Sequence, residues 1–539
     1  MFRLRTFIKH RIMRFKCLFT FLCLIYIFKT TNAQFSNIEI VGKLNYENTL
    51  SDVWGYATNN KEYALVCVQN GVSIVDVSDP TSPKEIHFVE GFFANARDIK
   101  TYKNFAYSTN GKEEGLLIID LNELPEKVEV KKFTGIGENV FTASHNLFID
   151  EFGFLYVAGH NISPGGILIY DLNTDFWSPE LVGIYRKNYV HDLYARENML
   201  YTSEGDQMAI IDASDKSNLK ILGTQKTYGY THNSWLSESG DVLFTTDETS
   251  GAWVVAWDIS SSNDIKELGK AQSTINGKVI PHNTLWFNNY LVTSFYTDGL
   301  VIFDVANPNV LVKIAQADTA PQFSGDGFNG CWGAYPFLPS GNILATDIEE
   351  GLFVLKANYK RAALLSGMVR DSLSNDLLGN VKITIKNEDN EAFTDIDGSY
   401  IIGLANEGTY EVRFSKIGYY SEISLIDFVS GETVNFDKNL SRDENFVSTQ
   451  SANSPQNTSL ISLSENPFTN KIELSLKDPA LLNKDIEIIF FSKYGRLLEK
   501  QKLFNNKITW GVMMPSGIYH YVINKKNWPI YFGKIVKLK

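Results

Sequence analysis

The chain has 539 residues, of which 44% are hydrophobic and 13% aromatic, and this composition excludes an intrinsically disordered protein. The formal net charge is −12, but residues 34–460 carry −26 and residues 461–539 carry +7. Residues 34–460 are too acidic to provide the basic surface that binding to a nucleic-acid backbone requires. We therefore expect no nucleic-acid partner.

The N-terminus predicts a secretory signal peptide over residues 1–33. Basic residues precede the apolar run CLFTFLCLIYIF, and Ala33 is the small residue expected before cleavage at Gln34. The run is too short for a comfortable membrane span, so we expect no transmembrane segment. The charged lead is long for a signal peptide, and Met13 is an alternative start of translation. The rest of the chain is then expected to be exported.

The cysteines do not predict a disulfide framework. Two of the four leave with the signal peptide, and Cys67 and Cys331 remain. Two cysteines are too few to stabilise a small fold by cross-linking. They are expected either as buried thiols or as a single disulfide.

One phrase recurs along the chain: an apolar strand that ends in Asp, a polar turn and another strand. GVSIVDVSDPTSPKEIHFVEG and GLVIFDVANPNVLVKIAQ are two copies, and GLFVLKANY is a seventh, truncated copy with Leu355 in place of the Asp. Successive copies are 41 to 51 residues apart, which is room for four short strands each. The repeated aspartates are Asp76, Asp120, Asp171, Asp212, Asp258 and Asp304.

Four strands per repeat predict an all-β protein in which residues 36–358 form a seven-bladed β-propeller. The truncated copy lacks its outer strand, and SNIEIVGKL near the mature N-terminus has the pattern of that strand alone. We therefore expect residues 37–44 to complete blade seven and to close the ring. The apolar-Asp phrase resembles the LVIVD repeat, and the whole propeller resembles the choice-of-anchor B group of secreted bacterial proteins. The resemblance implies a surface or extracellular propeller and brings no established chemistry.

Polar residues open the first strand of most predicted blades, and acids lie in the loop between the second and third strands. Both positions lie on one face of a four-stranded meander, so we expect them to converge at one mouth of the central channel. The strand-opening residues are Asp52, Asp98, His145-Asn146, His191-Asp192, His232-Asn233, His282-Asn283 and Cys331-Trp332. The loop residues are Glu113, Glu114, His160, Glu204, Asp206, Asp247, Glu248, Asp298, Asp347, Glu349 and Glu350.

A metal site is one interpretation of this mouth. Imidazoles together with carboxylates suit Zn, Mn or Fe, whereas carboxylates alone suit Ca or Mg. Three ligands and an open position would make a hydrolytic site. No local pair such as His-x-His is present, so the ligands would have to meet through the fold. The candidate metal ligands are His145, His191, His232, His282, Asp247, Asp298 and Asp347.

Two other interpretations stay open. Side chains at the start of a first strand tend to lie between blades, where a His can hydrogen-bond a neighbouring Asn, Asp or backbone group. Aromatic faces beside amides also suit sugar or peptide recognition, and Trp54 lies at one opening. No nucleophile motif is present, so no catalytic residue is predicted. The candidate ligand-binding residues are His145, Asn146, His191, His232, Asn233, His282, Asn283, Trp235, Trp286 and Trp332.

Two smaller domains are predicted beyond the repeats. Alternating apolar residues with hairpin turns predict a small β-sandwich over residues 362–440. Gly367, LLGNVKITI, TDIDGSY, GTYEVRF and GYYS make this segment resemble the carboxypeptidase regulatory-like domain, which is non-catalytic. The polar segment 441–459 is predicted as a flexible linker.

The last segment, residues 460–539, has short strand patterns that predict a C-terminal β-sandwich. It resembles the type A sorting domain of the type IX secretion system through ENPFTNKIEL, SKYGRLLEK, PSGIYHYVI and the terminal GKIVKLK, with Glu465 where an aromatic residue is usual. The resemblance implies that the secretion machinery is a partner and carries the protein through the outer membrane. The domain is then removed, and the protein is released or attached to surface lipopolysaccharide. A sorting signal of this kind would explain why residues 461–539 are basic.

Three functions are compatible with these features. The leading hypothesis is a secreted or cell-surface binding protein for an extracellular glycan, peptide or protein. The second is a metal-assisted hydrolase or lyase at the channel mouth. The third is an architectural surface or matrix protein without a small ligand. Fold alone does not choose among them.

Overall fold

The computed structural model describes residues 37–135, 137–443, 461–476, 486–492, 497–503, 507–512, 514–525 and 528–538. All regular structure in these ranges is β-strand, which confirms the all-β prediction. None of the described residues forms a helix long and apolar enough to cross a membrane. The predicted signal peptide and most of the predicted linker lie outside the described residues. The chain divides into two compact units, Met1–Tyr359 and Lys360–Lys539.

The first unit consists of small antiparallel sheets whose strands mostly follow one another along the chain. Its strands are β1 (Ile38–Leu44), β2 (Leu50–Thr58), β3 (Lys61–Val68), β4 (Gly71–Asp76), β5 (Lys84–Glu90), β6 (Ile99–Tyr102), β7 (Phe105–Ser108), β8 (Leu116–Asp120), β9 (Glu129–Phe133), β10 (Asn146–Ile149), β11 (Phe154–Ala158), β12 (Ile167–Asp171), β13 (Glu180–Tyr185), β14 (Asp192–Arg196), β15 (Met199–Ser203), β16 (Gly205–Asp212), β17 (Lys220–Leu236), β18 (Val242–Asp247), β19 (Val254–Asp258), β20 (Lys266–Ala271), β21 (Thr284–Phe287), β22 (Tyr290–Phe295), β23 (Gly299–Asp304), β24 (Val312–Ala317), β25 (Cys331–Tyr335), β26 (Asn342–Asp347) and β27 (Gly351–Ala357).

These strands group into seven four-stranded arrangements, numbered here as sheets 1 to 7. Sheets 1, 2, 3 and 6 are β2–β5, β6–β9, β10–β13 and β21–β24. The long strand β17 is shared: residues 220–226 pair with β16 in sheet 4 (β14–β17), and residues 231–236 pair with β18 in sheet 5 (β17–β20). Sheet 7 has the order β1-β27-β26-β25, so its outer strand comes from the other end of the unit.

The first strands of the seven sheets contact one another in a closed cycle. The series runs from β2 through β6, β10, β14, β17, β21 and β25 and returns to β2. Apolar side chains fill the spaces between neighbouring sheets; Leu65 and Ile74 of sheet 1, for example, share a buried cluster with Ile119 of sheet 2. Burial of this kind is the main stabilising contribution to such an arrangement.

The repeated Asp ends the third strand of its sheet by a local hydrogen bond. In each of six sheets a carboxylate oxygen accepts the backbone N–H two residues further on, at 2.8–3.0 Å. Such an Asx turn replaces ladder bonds that the strand can no longer make. The aspartates are Asp76, Asp120, Asp171, Asp212, Asp258 and Asp304.

A glycine in the outer strand allows close contact between neighbouring sheets. A Cβ at Gly42, Gly183 or Gly223 would lie only 1.8–1.9 Å from a backbone carbonyl oxygen. Each oxygen belongs to the turn before the outer strand of the next sheet in the cycle, and the three are those of Pro80, Lys216 and Ser262. Any larger residue would push these two sheets apart.

The second unit begins with two small sheets that share one apolar core, which includes Leu365, Ile383 and Phe414. One sheet has the order β31-β28-β34, with β35 also paired to β28, and the other has the order β30-β29-β32-β33. The strands are β28 (Ala363–Asp371), β29 (Lys382–Ile385), β30 (Glu391–Phe393), β31 (Ser399–Leu404), β32 (Gly408–Ser415), β33 (Glu422–Phe428), β34 (Thr433–Asn435) and β35 (Lys438–Leu440).

The C-terminal segment has two further sheets, β36-β37-β40 and β39-β38-β41-β42. Their shared core includes Phe490 and Trp510, whose rings stack with centroids 4.4 Å apart. The strands are β36 (Ile461–Leu463), β37 (Ile472–Leu476), β38 (Ile486–Ser492), β39 (Leu497–Lys502), β40 (Lys507–Trp510), β41 (Gly517–Lys525) and β42 (Trp528–Lys537).

Candidate functional site

Four histidines stand side by side where the first strands of sheets 3 to 6 begin. His145, His191, His232 and His282 are called the histidine cluster below. Their ring centroids are 4.0, 4.6 and 4.1 Å apart in that order. All except His145 are buried. The cycle of first strands thus brings together four side chains that are far apart in the sequence.

Several ring nitrogens of the cluster have no hydrogen-bond partner. The Nδ1 atom of His282 lies 2.7 Å from the carbonyl oxygen of Trp332, and the Tyr230 hydroxyl lies 3.3 Å from Nδ1 of His191. By contrast, Nε2 of His191, Nδ1 of His232 and Nε2 of His282 are buried without a partner. Unsatisfied buried polar atoms are uncommon in folded proteins, and each calls for a physical explanation.

Glu248 is the acid that faces the cluster. Its carboxylate oxygens lie 3.9 Å from Nε2 of His232 and 3.8 Å from Nε2 of His282. The Tyr296 hydroxyl donates a hydrogen bond of 2.5 Å to the same carboxylate. Two overlapping groups have ligand atoms within 4.8 Å of one another, namely His145, His191 and His232, and His232, Glu248 and His282.

Burial keeps the imidazoles of the cluster neutral. It lowers the pKa of His145, of His191 and of His282, and it lowers the pKa of His232 to about 3. Neighbouring imidazoles reinforce the effect, because a second positive charge at 4–5 Å would be unfavourable. At neutral pH each ring therefore has one nitrogen lone pair that can accept a proton or bind a metal ion.

Most of the other acids near this mouth hold loops instead of facing the histidines. Each accepts a hydrogen bond from the connection that leads into its own sheet. The pairs are Asp247 with the Tyr228 N–H, Asp298 with the Thr274 hydroxyl, Asp347 with the Thr319 hydroxyl, Glu114 with the Phe92 N–H and Glu204 with the Asn188 amide. The structure thus places Asp247, Asp298 and Asp347 in loop-supporting positions.

The asparagines that follow the histidines connect neighbouring sheets. The Asn233 amide donates to Asp192 of sheet 4 at 3.0 Å, and its oxygen accepts the backbone N–H of Thr284 in sheet 6 at 3.0 Å. Asn146 donates in the same way to the aspartate that opens sheet 2, at 3.1 Å. The Oδ1 atom of Asn283 has no partner. All three asparagines line a narrow central cavity, together with Asp52, Asp98 and Asp192.

The candidate tryptophans do not form a single platform. Trp332 packs on the His282 ring at 4.7 Å, beside the cluster. Trp235 lines the central cavity and stacks on Phe337 at 5.7 Å. Trp286 packs against the apolar cluster between sheets 5 and 6. Only the first of the three therefore lies at the histidine cluster.

Exposed apolar side chains recur in the connections that lead into the first strands, where the histidine cluster also lies. Six of the seven connections from the last strand of one sheet to the first strand of the next carry a large hydrophobic residue that is 39–57% exposed. Phe93 and His145 line one surface depression, and the Tyr230 ring lies 5.1 Å from that of His191. The members of this apolar rim are Phe92, Phe93, Val140, Tyr189, Tyr230, Ile275 and Phe328.

Three features of the site were not singled out from the sequence: Tyr296, the orientation of Glu248 and the apolar rim. The sequence does not mark the rim, because the same connections also contain large apolar residues that are buried, such as Phe141, Val190 and Ile280. No local pattern marks Tyr296, whose contact with Glu248 joins sheets 6 and 5.

Cys67 and Cys331 are buried free thiols. Ala33 and Gln34 lie outside the described residues.

Comparison with protein families identifies two parts of the chain. The LVIVD repeat matches residues 60–90 and 188–227, and the CarboxypepD_reg-like domain matches residues 365–449. The chain therefore contains LVIVD repeats and a carboxypeptidase regulatory-like domain, which confirms both resemblances. No curated protein matches the chain. Among solved structures, the computationally designed Ika8 protein is similar over 59% of this chain and 99% of its own, with 10% identity and a TM-score of 0.41.

Proposed function

We propose that the protein is an exported binding protein, whose residues 36–358 form a seven-bladed β-propeller that binds a ligand at the histidine cluster and its apolar rim. Seven four-stranded antiparallel arrangements whose first strands contact one another in a cycle support the propeller. Pairing of β1 with β27 supports closure of blade seven by residues 37–44. The LVIVD repeats agree with this architecture.

The observation that carries the binding function is the apolar rim. Side chains such as Phe92, Phe93 and Phe328 are more than half exposed on turns where polar residues are usual. Several large apolar side chains that are exposed at the same end of a set of sheets are typical of an interaction site. Three rim residues, Phe93, Tyr189 and Tyr230, lie beside the polar histidine cluster, and apolar contact area next to a few polar groups is typical of ligand sites.

The chemistry of the rim favours a peptide or protein ligand over a glycan. Phe and the aliphatic Val140 and Ile275 offer apolar contact without a hydrogen-bonding group. A sugar would need amides and carboxylates beside the aromatic faces, but Glu114 and Glu204 are engaged in holding loops. We therefore propose that the ligand presents an apolar surface, and glycan binding is an alternative outcome of the test.

Export is the second part of the proposal. The pattern of residues 1–33 supports a signal peptide, and the motifs of residues 460–539 support a type IX sorting domain. The propeller and its neighbour would then act at the cell surface or outside the cell, as in the choice-of-anchor B group. The carboxypeptidase regulatory-like domain supplies no catalytic group in this scheme and serves as a spacer.

Binding to peptide and glycan arrays tests the ligand face. Replacing Phe92, Phe93 and Phe328 together with Ser should abolish binding to the peptides that the unchanged protein selects. The matched control replaces three apolar residues that are 36–44% exposed on outer strands, Phe88, Val130 and Leu222, and should bind normally. Equal binding by the two triple variants, both folded by circular dichroism, would contradict the proposal.

A further inference from the structure

We propose that His232, His282 and Glu248 form a binding site for one divalent transition-metal ion of the zinc class at the centre of the histidine cluster. The carboxylate lies 3.8–3.9 Å from the two Nε2 atoms. In a tetrahedral site with bonds of about 2.0–2.1 Å, the ligand atoms are roughly 3.3–3.4 Å apart. The ligand atoms of all three residues lie within 4.8 Å of one another, so each pair would have to close by up to about 1.5 Å to complete the site.

Contacts behind two of the three ligands, His282 and Glu248, already orient them as in known metal sites. His282 Nδ1 donates to the Trp332 carbonyl oxygen at 2.7 Å, so its Nε2 atom carries the lone pair and faces Glu248. The Tyr296 hydroxyl donates to Glu248 and holds the carboxylate in place. Histidines that bind metals usually donate their second ring N–H to a carbonyl or carboxylate, and carboxylate ligands are usually hydrogen-bonded in turn.

The charges around Glu248 favour a cation. Among the residues that the structure describes, no Lys or Arg forms an ion pair with this carboxylate. The Nε2 atom of His282 is buried without a hydrogen-bond partner. A bound ion would satisfy this atom and neutralise the carboxylate.

The alternative group of His145, His191 and His232 is less suitable. It contains no carboxylate, so a divalent ion there would bring two uncompensated charges into a largely buried site. The two groups share His232, which offers one nitrogen to one ion. Two imidazoles and one carboxylate with an open position are a donor set that zinc accepts, as do iron and manganese.

Metal analysis of variants of the full chain separates the two groups. After incubation with Zn²⁺ and dialysis, the unchanged protein should retain about one ion per chain by elemental analysis, and Co²⁺ should give visible absorption typical of a tetrahedral site. Glu248→Gln and His282→Gln should each lower the retained zinc at least tenfold. The matched control His145→Gln removes a cluster histidine outside the proposed ligands and should retain the metal.

Tyr296→Phe keeps all three ligands but frees the carboxylate, so it should weaken Zn²⁺ binding about 10–100-fold in competition with a chelator. Thermal unfolding verifies that each variant is folded. If Glu248→Gln or His282→Gln does not fold, the zinc affinity of Tyr296→Phe tests the site in its place. No retained metal in the unchanged protein, or metal retained in Glu248→Gln and lost in His145→Gln, would overturn the site. The inference does not depend on a ligand for the apolar rim, because metal content and array binding are measured separately.

Discussion

Asn233 shows how a single repeated residue can join three sheets. It belongs to sheet 5, donates to Asp192 of sheet 4 and accepts from the backbone of Thr284 in sheet 6, and it is only 8% exposed. Asn283 occupies the same position in sheet 6, yet its Oδ1 atom has no partner. The repeat therefore conserves a residue type from sheet to sheet, although its hydrogen bonds differ.

Replacing Asn233 with Ala should destabilise the first unit by about 2–3 kcal/mol, because it leaves a buried carboxylate and a buried N–H without this partner. Asn283→Ala is the matched control and should lower the free energy of unfolding by less than about 1 kcal/mol. Urea unfolding followed by tryptophan fluorescence measures both, since seven of the nine tryptophans lie in this unit. Equal losses in the two variants would show that the bonds of Asn233 do not connect the sheets.

The histidine and acid positions illustrate what sequence alone can decide. A His at the strand opening of four successive repeats implies that these side chains lie on one face, because equivalent positions in repeated units are related by the symmetry of the array. The sequence does not determine which of Asp247 and Glu248 turns toward the histidines. That choice depends on the Asp247 hydrogen bond to the Tyr228 N–H, a loop contact with no pattern of its own.

At the scale of elements, β1 joins the two ends of the first unit. It pairs with β27 from Ile38 to Leu44, and the Asn37 side chain donates to a carbonyl of β24 in sheet 6. Without this strand β27 would be an exposed sheet edge, and an exposed edge promotes association with other chains. The pairing also fixes the position of the truncated repeat, which has no outer strand of its own.

A chain that begins at residue 45 should lose roughly 3–5 kcal/mol of stability relative to one that begins at residue 37, because the buried or partly buried side chains of Ile38, Val41 and Leu44 leave the sheet. It should also associate, which light scattering after size-exclusion chromatography detects. A synthetic peptide of residues 37–44 should restore the stability in urea unfolding, whereas the same peptide with Pro in place of Ile40 should not. Failure of the first peptide to do better than the second would show that β1 is dispensable.

The all-β class and the two family resemblances were accessible from the sequence because they rest on periodic, local features. Strand alternation, the repeated Asp and phrases such as TDIDGSY recur within short windows. Contacts between distant loops are not encoded in this way. The approach of Tyr296 to Glu248 depends on how two sheets pack, and the exposure of Phe328 depends on the path of one loop.

At the scale of the whole molecule, charge separates the body from the C-terminal segment. Residues 34–460 carry −26, and residues 461–539 carry +7 on two sheets with their own core. A basic segment with a separate core can fold and be removed without disturbing the rest. A sorting domain that is removed after export needs this property, which supports the proposal that residues 460–539 direct type IX secretion.

In a bacterium that possesses the type IX machinery, fusing residues 441–539 to a fluorescent protein that carries a signal peptide should move the reporter from the periplasm to the cell surface or the medium. The reason is that a sorting signal acts on whichever protein it is attached to, whereas a purely structural domain would not redirect an unrelated protein. The control fuses residues 360–440, which are also all-β where described but lack the sorting motifs, and this reporter should stay in the periplasm. Immunoblots of the fractions give the location, and the mass of the exported reporter shows whether the segment has been removed. Export of both reporters, or of neither while the complete protein is exported, would contradict the role of the C-terminal segment.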